Sequence, residues 1–151
     1  MPGTSILNKP LLVLDTNVVL DLLHFDDPVT RPLLQALQNG QVRCGVTDAT
    51  FDEWLRVLAY PEFALDAGRQ AVLAARYREL SGRVPAGEPV TGLPRCSDPD
   101  DQKFIEVAAA SGAQALVSKD HAVLKLRRRC APLFRVMTPA ETPGWLDAAL
   151  P

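Results

Sequence analysis

Short hydrophobic runs alternate with helix-like spacings along most of the chain. The first run, Leu11–Leu14, is apolar at every position, which predicts a strand buried on both faces of a sheet. Further strands are predicted at residues 42–46, 115–118 and 133–137, with a short strand around Val90. Because strands and helices alternate, we predict an α/β fold: a three-layer α/β/α sandwich of the Rossmann-like kind, with a central, mainly parallel sheet.

The helices are predicted from apolar spacing and from capping residues between the strands. They cover residues 18–23, 30–39, 47–60, 63–80, 97–111 and 121–126, and a last helix starts at Thr138. We expect Thr30 to cap the second of them. The third and fourth helices should each bury one stripe, formed by Phe51, Trp54, Leu55 and Leu58 and by Leu65, Val72, Leu73 and Leu80.

The length of the chain favours one domain. Its 151 residues suffice for a single core, and we expect one domain over residues 1–151 with its core at about 11–146. The segment 81–97 is rich in glycine and proline, but too little chain follows it for a second core. We therefore interpret this segment as a connection within the domain.

Composition limits the classes of protein to consider. No apolar stretch approaches the roughly 18 residues of a membrane-spanning helix, and the N-terminus lacks a signal-peptide pattern. We expect a cytoplasmic protein with no membrane partner. The net charge of −2 differs from that of proteins that simply coat nucleic acid, so any nucleic-acid contact would need a local patch. The three cysteines fit neither a disulfide framework nor a zinc site.

Acidic residues occur where predicted strands end and where one helix begins. Asp15 and Asp120 directly follow strands, and the acidic run 98–101 opens a helix that leads into a strand. The carboxyl ends of parallel strands meet at one edge of the sheet, so these acids should approach each other. Glu53 borders an apolar helix stripe and could join them. Carboxylates this close need a cation, and all-oxygen ligation suits Mg²⁺ or Mn²⁺. Such a site can activate water for attack on a phosphate.

Each acid also has a simpler interpretation. Aspartates at helix N-termini usually cap the helix and complement its dipole, which would account for Asp98, Asp100 and Asp101. Glu53 would then be a half-exposed surface residue, and the aspartates after the strands would form turns. The joint arrangement, more than any single residue, favours a metal site.

Four segments in this order resemble the PIN-domain family. They are LDTN at 14–17, Glu53 within a helix, DPDD at 98–101 followed by FIEVA at 104–108, and LVSKD at 116–120. The chain is most similar to the branch of toxin components of bacterial toxin–antitoxin systems, which the ending VMTPAE at 136–141 also matches. The resemblance extends from Leu11 to about Leu146.

The resemblance implies a Mg²⁺- or Mn²⁺-dependent ribonuclease that hydrolyses phosphodiester bonds in RNA. The four catalytic acids of the family correspond to Asp15, Glu53, Asp101 and Asp120. We expect Asp15 and Asp101 to bind the principal metal ion. Glu53 would orient water or share in metal binding, Asp120 would complete the site or assist a second ion, and Asp98 is a further candidate ligand.

Polar neighbours of these acids also match family positions. Thr16 and Asn17 lie beside the first acid, and Ser118 occupies a hydroxyl position two residues before the last acid. Lys119 is a departure, because many relatives of this branch have glycine there. We expect Lys119 either to contact an RNA phosphate or to disturb the loop that presents Asp120.

The resemblance also implies partners. An RNA substrate, a small antitoxin protein and a homodimer are all expected from the branch. The basic cluster of Arg127, Arg128 and Arg129 is the candidate RNA-contacting rim, since sequence-independent affinity comes from phosphate contacts. The alternative for this cluster is a solvated helix face.

Three rival interpretations remain. Phosphatases of the haloacid dehalogenase type need a second aspartate where this chain has Asn17, and receiver-like signalling domains would place their acids differently. The serious alternative is a catalytically silent PIN-fold module that binds RNA or a protein partner without cutting. The complete set of four acids speaks against it.

Overall fold

The computed structural model describes residues 9–85 and 87–149. Its strands are β1 (Leu11–Leu14), β2 (Arg43–Val46), β3 (Ser81–Arg83), β4 (Ala115–Val117) and β5 (Arg135–Met137). The α-helices in this part of the chain are α1 (Thr16–Leu23), α2 (Arg31–Gln38), α3 (Asp48–Leu58), α4 (Ala67–Leu80), α5 (Gln102–Ser111), α6 (His121–Leu124), α7 (Arg127–Cys130) and α8 (Thr142–Ala149). The expected domain limits at residues 1 and 151 lie outside the described residues.

The strands form a sheet in the order β3–β2–β1–β4–β5, and every neighbouring pair is parallel. Side chains alternate across it, so Leu12 and Leu14 pack against α1–α4 and α8. Leu11 and Val13 pack against α5–α7 on the opposite face. The predicted three-layer α/β/α sandwich with a parallel sheet is therefore confirmed, and the apolar run of β1 is explained by burial on both faces.

The edge strand β3 is not where the sequence predicts it. Val90 lies in an irregular segment, whereas Ser81–Arg83 follows α4 directly and pairs with β2. Because this strand has no apolar run, hydrophobicity gives no sign of it. The backbone N–H of Val84 donates to the carbonyl oxygen of Val46 (2.9 Å), and a Cβ on Gly45 would come within 2.9 Å of the Val84 side chain.

Two apolar residues predicted to be buried are exposed. Leu55 is 39% exposed and Val72 is 48% exposed. On α3 the buried face is centred on Trp54. Leu55 is the next residue, and the rotation of the helix between the two positions directs its side chain away from that face. On α4 the buried residues are Leu73, Ala74 and Tyr77, so Val72 lies beyond the edge of a narrow stripe.

Several helices begin later than predicted. Asp27, not Thr30, provides the side-chain cap before α2: its Oδ1 accepts from the N–H of Val29 (3.0 Å) at the start of a 3₁₀ turn, Pro28–Thr30. A second 3₁₀ turn, Pro61–Phe63, ends at a left-handed residue and delays α4 until Ala67. Both 3₁₀ turns begin with a proline and precede the next α-helix, and apolar spacing does not reveal them.

The C-terminal third also differs in its boundaries. The predicted helix 121–126 stops at Leu124, and a separate helix, α7, carries the arginine cluster. Strand β5 starts at Arg135, since Leu133 is 53% exposed. The last helix is preceded by a 3₁₀ turn, Pro139–Glu141. None of the described helices has both the length and the apolar character needed to cross a membrane.

Candidate metal centre

Asp15 lies directly after β1 and is buried. Its Oδ1 accepts the N–H of Asn17 at 3.4 Å, which caps α1, and its Oδ2 accepts the hydroxyl of Ser118 at 2.7 Å. Burial raises the pKa of Asp15, and the two hydrogen bonds oppose that rise. The end of β1 thus presents a carboxylate that β4 holds in place.

The acidic run 98–101 forms a 3₁₀ turn before α5. Asp98 caps this turn by accepting the N–H of Asp100 at 3.0 Å, so the capping interpretation is correct for Asp98. Asp100 itself is exposed. Asp101 is only 8% exposed, makes no capping hydrogen bond, and its Oδ2 is buried without a hydrogen-bond partner among the described residues. Apart from the contact between the carboxyl groups of Asp101 and Asp120, the side chain of Asp101 is left for a ligand.

Asp120 follows β4 and caps α6. Its Oδ1 accepts the N–H of Ala122 at 2.8 Å, and its own N–H donates to the Ser118 hydroxyl at 3.0 Å. Ser118 therefore bridges the loops after β1 and β4, since its hydroxyl also donates to Asp15. The polar position predicted at residue 118 fixes two acids at once.

Asp98, Asp101 and Asp120 form a cluster in which one carboxylate oxygen from each residue lies within 4.8 Å of the others. Burial, together with the neighbouring carboxylates, raises the pKa of Asp101 to about 8. The hydrogen bond with Asp101 lowers the pKa of Asp120. In the metal-free chain, the two residues therefore share one proton at neutral pH. An all-oxygen set with a buried, unpartnered oxygen fits a hard divalent cation.

Glu53 lies on α3, and its carboxylate is held from two sides. The hydroxyl of Thr16 donates to Oε2, and the ammonium of Lys103 lies 2.6 Å from Oε1. The side chains of Glu53 and Lys103 are 15% and 25% exposed, so the ion pair is largely shielded from water. Glu53 is close enough to Asp15 to affect its pKa, but unlike Asp15 it has an ammonium group, that of Lys103, beside it.

Lys119 forms an ion pair with Asp21 of α1. The ammonium lies 2.6 Å from Asp21 Oδ2, and the side chain of Asp21 is buried. In this structure the side chain of Lys119 contacts a carboxylate, and the pair joins the loop that carries Asp120 to α1. The expected contact with an RNA phosphate stays a prediction. The one polar residue in the apolar run of α1 is explained by this contact.

The remaining predicted residues lie further from the acids. Asn17 is exposed and contributes its backbone N–H to Asp15. On α7, Arg127 makes two hydrogen bonds to Glu141, at 2.8 and 3.2 Å. Arg128 and Arg129 are exposed and have no carboxylate partner among the residues that the structure describes.

An open cavity of about 930 Å³ adjoins this edge between α5 and the irregular segment that includes Val90. Lys103 lies on its wall, and it is the residue through which the cavity borders the Glu53 carboxylate. Sequence reasoning missed Lys103 and Asp21. A polar residue within the apolar run 18–23 was an available signal for Asp21, whereas nothing local distinguishes Lys103 from other lysines.

The chain belongs to the PIN-domain family, because the family model described as PIN domain matches residues 11–122. PIN domains are generally nucleases that depend on divalent metal ions and act on RNA, and the cluster of three acids is compatible with metal binding. No protein with a curated description matches the chain significantly.

Proposed function

We propose that this protein is a ribonuclease that uses Mg²⁺ or Mn²⁺ to hydrolyse phosphodiester bonds in RNA. The observation that carries the proposal is Asp101, whose buried Oδ2 has no partner within a cluster of carboxylates at the carboxyl edge of the sheet. Burying such a group has a cost in free energy that a bound cation would offset. A purely structural cap explains Asp98 but leaves Asp101 unexplained.

Asp15, Glu53, Asp101 and Asp120 are the proposed catalytic acids, with Asp98 as an additional metal ligand. A divalent cation held there would supply a Lewis acid that activates water and neutralises charge on the phosphate. Asp101 and Asp120 would give up their shared proton to bind it. The hydroxyl of Ser118 donates to Asp15 and holds this carboxylate at the adjacent strand end, as hydrogen bonds to metal ligands do in other metal sites.

Thr16 and Ser118 are the proposed supporting residues, since each donates a hydrogen bond to one of the acids. RNA would approach over the carboxyl edge. Arg128 and Arg129 are better placed to contact phosphates than Arg127, which is occupied by Glu141. Lys119 is proposed to stabilise the Asp120 loop first, and to contact RNA only if its ion pair opens.

We further propose that this nuclease is the toxin of a toxin–antitoxin pair, acting in the cytoplasm as one domain over residues 1–151, bound to a small antitoxin and forming a homodimer. The support is the resemblance of the sequence, including the ending at 136–141. Inspection of the adjacent reading frame tests the pairing. A small DNA-binding protein encoded there is expected, and its absence would contradict the toxin role without affecting the nuclease.

The decisive experiment is cleavage of a mixed, structured RNA by the purified protein with Mn²⁺, with Mg²⁺ and with a chelator. We expect cleavage that needs metal and falls by about 10²–10⁴-fold in Asp15→Asn. Asp147→Asn, an exposed aspartate on α8, is the matched control and should cut normally. RNA binding without cleavage by the wild-type chain would support the silent module instead, and cleavage that survives in Asp15→Asn would indicate a contaminant.

A further inference from the structure

Lys103 brings a fixed positive charge into the acidic edge. It lies in the first turn of α5, two residues after Asp101, and its ammonium is 2.6 Å from Glu53 Oε1. The other oxygen of Glu53 accepts the hydroxyl of Thr16. Residues 101–103 therefore supply two different groups: Asp101, a carboxylate without a positive partner, and Lys103, the positive partner of Glu53.

This contact separates the acids into two groups. Glu53 has a positive partner and a hydrogen-bond donor, one on each oxygen. Asp101 has neither on its buried Oδ2, and its nearest titratable neighbours are acids. The cluster whose carboxylate oxygens lie within 4.8 Å of one another consists of Asp98, Asp101 and Asp120. Glu53 is not part of this cluster.

A divalent ion on Glu53 would meet an obstacle that an ion on Asp101 would not. It would share a carboxylate with an ammonium group, and two positive charges a few ångströms apart repel strongly where water is largely excluded. The ion would also have to replace donors that already satisfy Glu53. The charge that a second metal ion would supply at that position is already supplied by Lys103.

We propose that Lys103 is a positioning residue that takes the place of a second divalent cation, so that this centre binds one metal ion and not two. The single ion is held by the cluster of Asp98, Asp101 and Asp120 next to Asp15. Lys103 holds the Glu53 carboxylate in place, outside the direct ligands of that ion. This inference rests on the proposed function, because it concerns the metal centre of the same site.

The test is the number of Mn²⁺ ions bound per chain, measured by isothermal titration calorimetry and by electron paramagnetic resonance, which detects coupling between two neighbouring Mn²⁺ ions. The wild-type chain should bind one ion and give an uncoupled spectrum. Lys103→Met should bind two ions and give a coupled spectrum, because Glu53 then lacks its cation. Lys103→Arg keeps the charge and should bind one.

Two further variants separate charge from packing. Lys103→Gln can still donate a hydrogen bond to Glu53 but is neutral, so it should also bind two ions if the charge is what matters. Lys9→Met is the matched control for Lys103→Met. Lys9 precedes β1, at the amino ends of the strands and away from the acids, so this variant should bind one ion. Circular dichroism shows whether each variant is folded. If Lys103→Met does not fold, the number of ions bound by Lys103→Gln decides the test.

Two ions on the wild-type chain would overturn the inference, as would a single ion with unchanged affinity on both neutral variants. These results leave the ribonuclease proposal intact, because that proposal is judged by RNA cleavage and not by metal count. Absence of any Mn²⁺ binding by the wild-type chain would overturn both.

Discussion

Two kinds of carboxylate lie at the acidic edge, and they differ in what faces them. Glu53 and Asp21 each face a lysine at 2.6 Å. Asp101 and Asp120 face each other and share a proton. Both groups are carboxylates, so they differ in their neighbours and not in their chemistry: those with a lysine partner are already neutralised, whereas those without one are the proposed metal ligands.

The strongest way to test this difference is through pH. Mn²⁺ must displace the proton shared by Asp101 and Asp120, so its affinity should rise about tenfold per pH unit up to about pH 8 and then level off. Asp101→Asn should abolish binding at every pH. Calorimetric titrations between pH 6 and 9 measure both effects, and a flat wild-type profile would show that no proton is displaced.

The same proton affects folding of the metal-free chain. The pKa of Asp101 is raised above its unfolded value, so the folded state binds more protons than the unfolded state at intermediate pH. This contribution to stability is fully present below about pH 4, is lost progressively as pH rises, and is gone above about pH 8. Thermal melts of Asp101→Asn should lack this pH dependence, with Asp147→Asn as the control that retains it.

A smaller effect is expected at the second lysine. Lys119→Met leaves the buried carboxylate of Asp21 without its partner and loosens the Asp120 loop. Mn²⁺ affinity should fall about 10–100-fold, as in other metal sites when a residue that orients a metal ligand is removed. The free energy of unfolding should fall by about 1–3 kcal/mol.

The double variant Lys119→Met with Asp21→Asn shows whether the pair is responsible for that loss of stability. Removing the charge of Asp21 should restore part of the free energy of unfolding, because the buried group is then neutral. Strictly additive losses in denaturant titrations would mean that the two residues do not act as a pair.

The smallest expected effect is on RNA binding by the arginines of α7. These residues allow the same comparison for positive charges, with and without a carboxylate partner. Arg127 faces Glu141, whereas Arg128 and Arg129 are exposed. Substituting the latter two with glutamine should reduce the salt dependence of RNA binding by about 0.7 per arginine in log K against log salt concentration. Arg127→Gln should change it less. Equal slopes in the wild type and in the double variant would exclude this rim as a phosphate contact.

The sequence predicted the strand ends better than the contacts between helices. Asp15 and Asp120 stand out because each follows an apolar run that can only be a buried strand. The pairing of Glu53 with Lys103 joins residues 50 positions apart, and it depends on how α3 and α5 pack, which no local pattern contains. Edge strand β3 was missed for a related reason: its residues are polar, and its neighbour β2 determines its position.

Three of the acids divide their two oxygen atoms between separate tasks. In Asp15, Asp98 and Asp120, Oδ1 accepts a backbone N–H and starts a helical turn, which leaves Oδ2 for other contacts. An asparagine can reproduce the first oxygen and not the second. The proposed chemistry at this edge should therefore be lost when one oxygen is exchanged for nitrogen, while the backbone N–H that starts the helical turn keeps its acceptor. A folded chain that has lost the proposed metal ligands is therefore within reach of a single substitution.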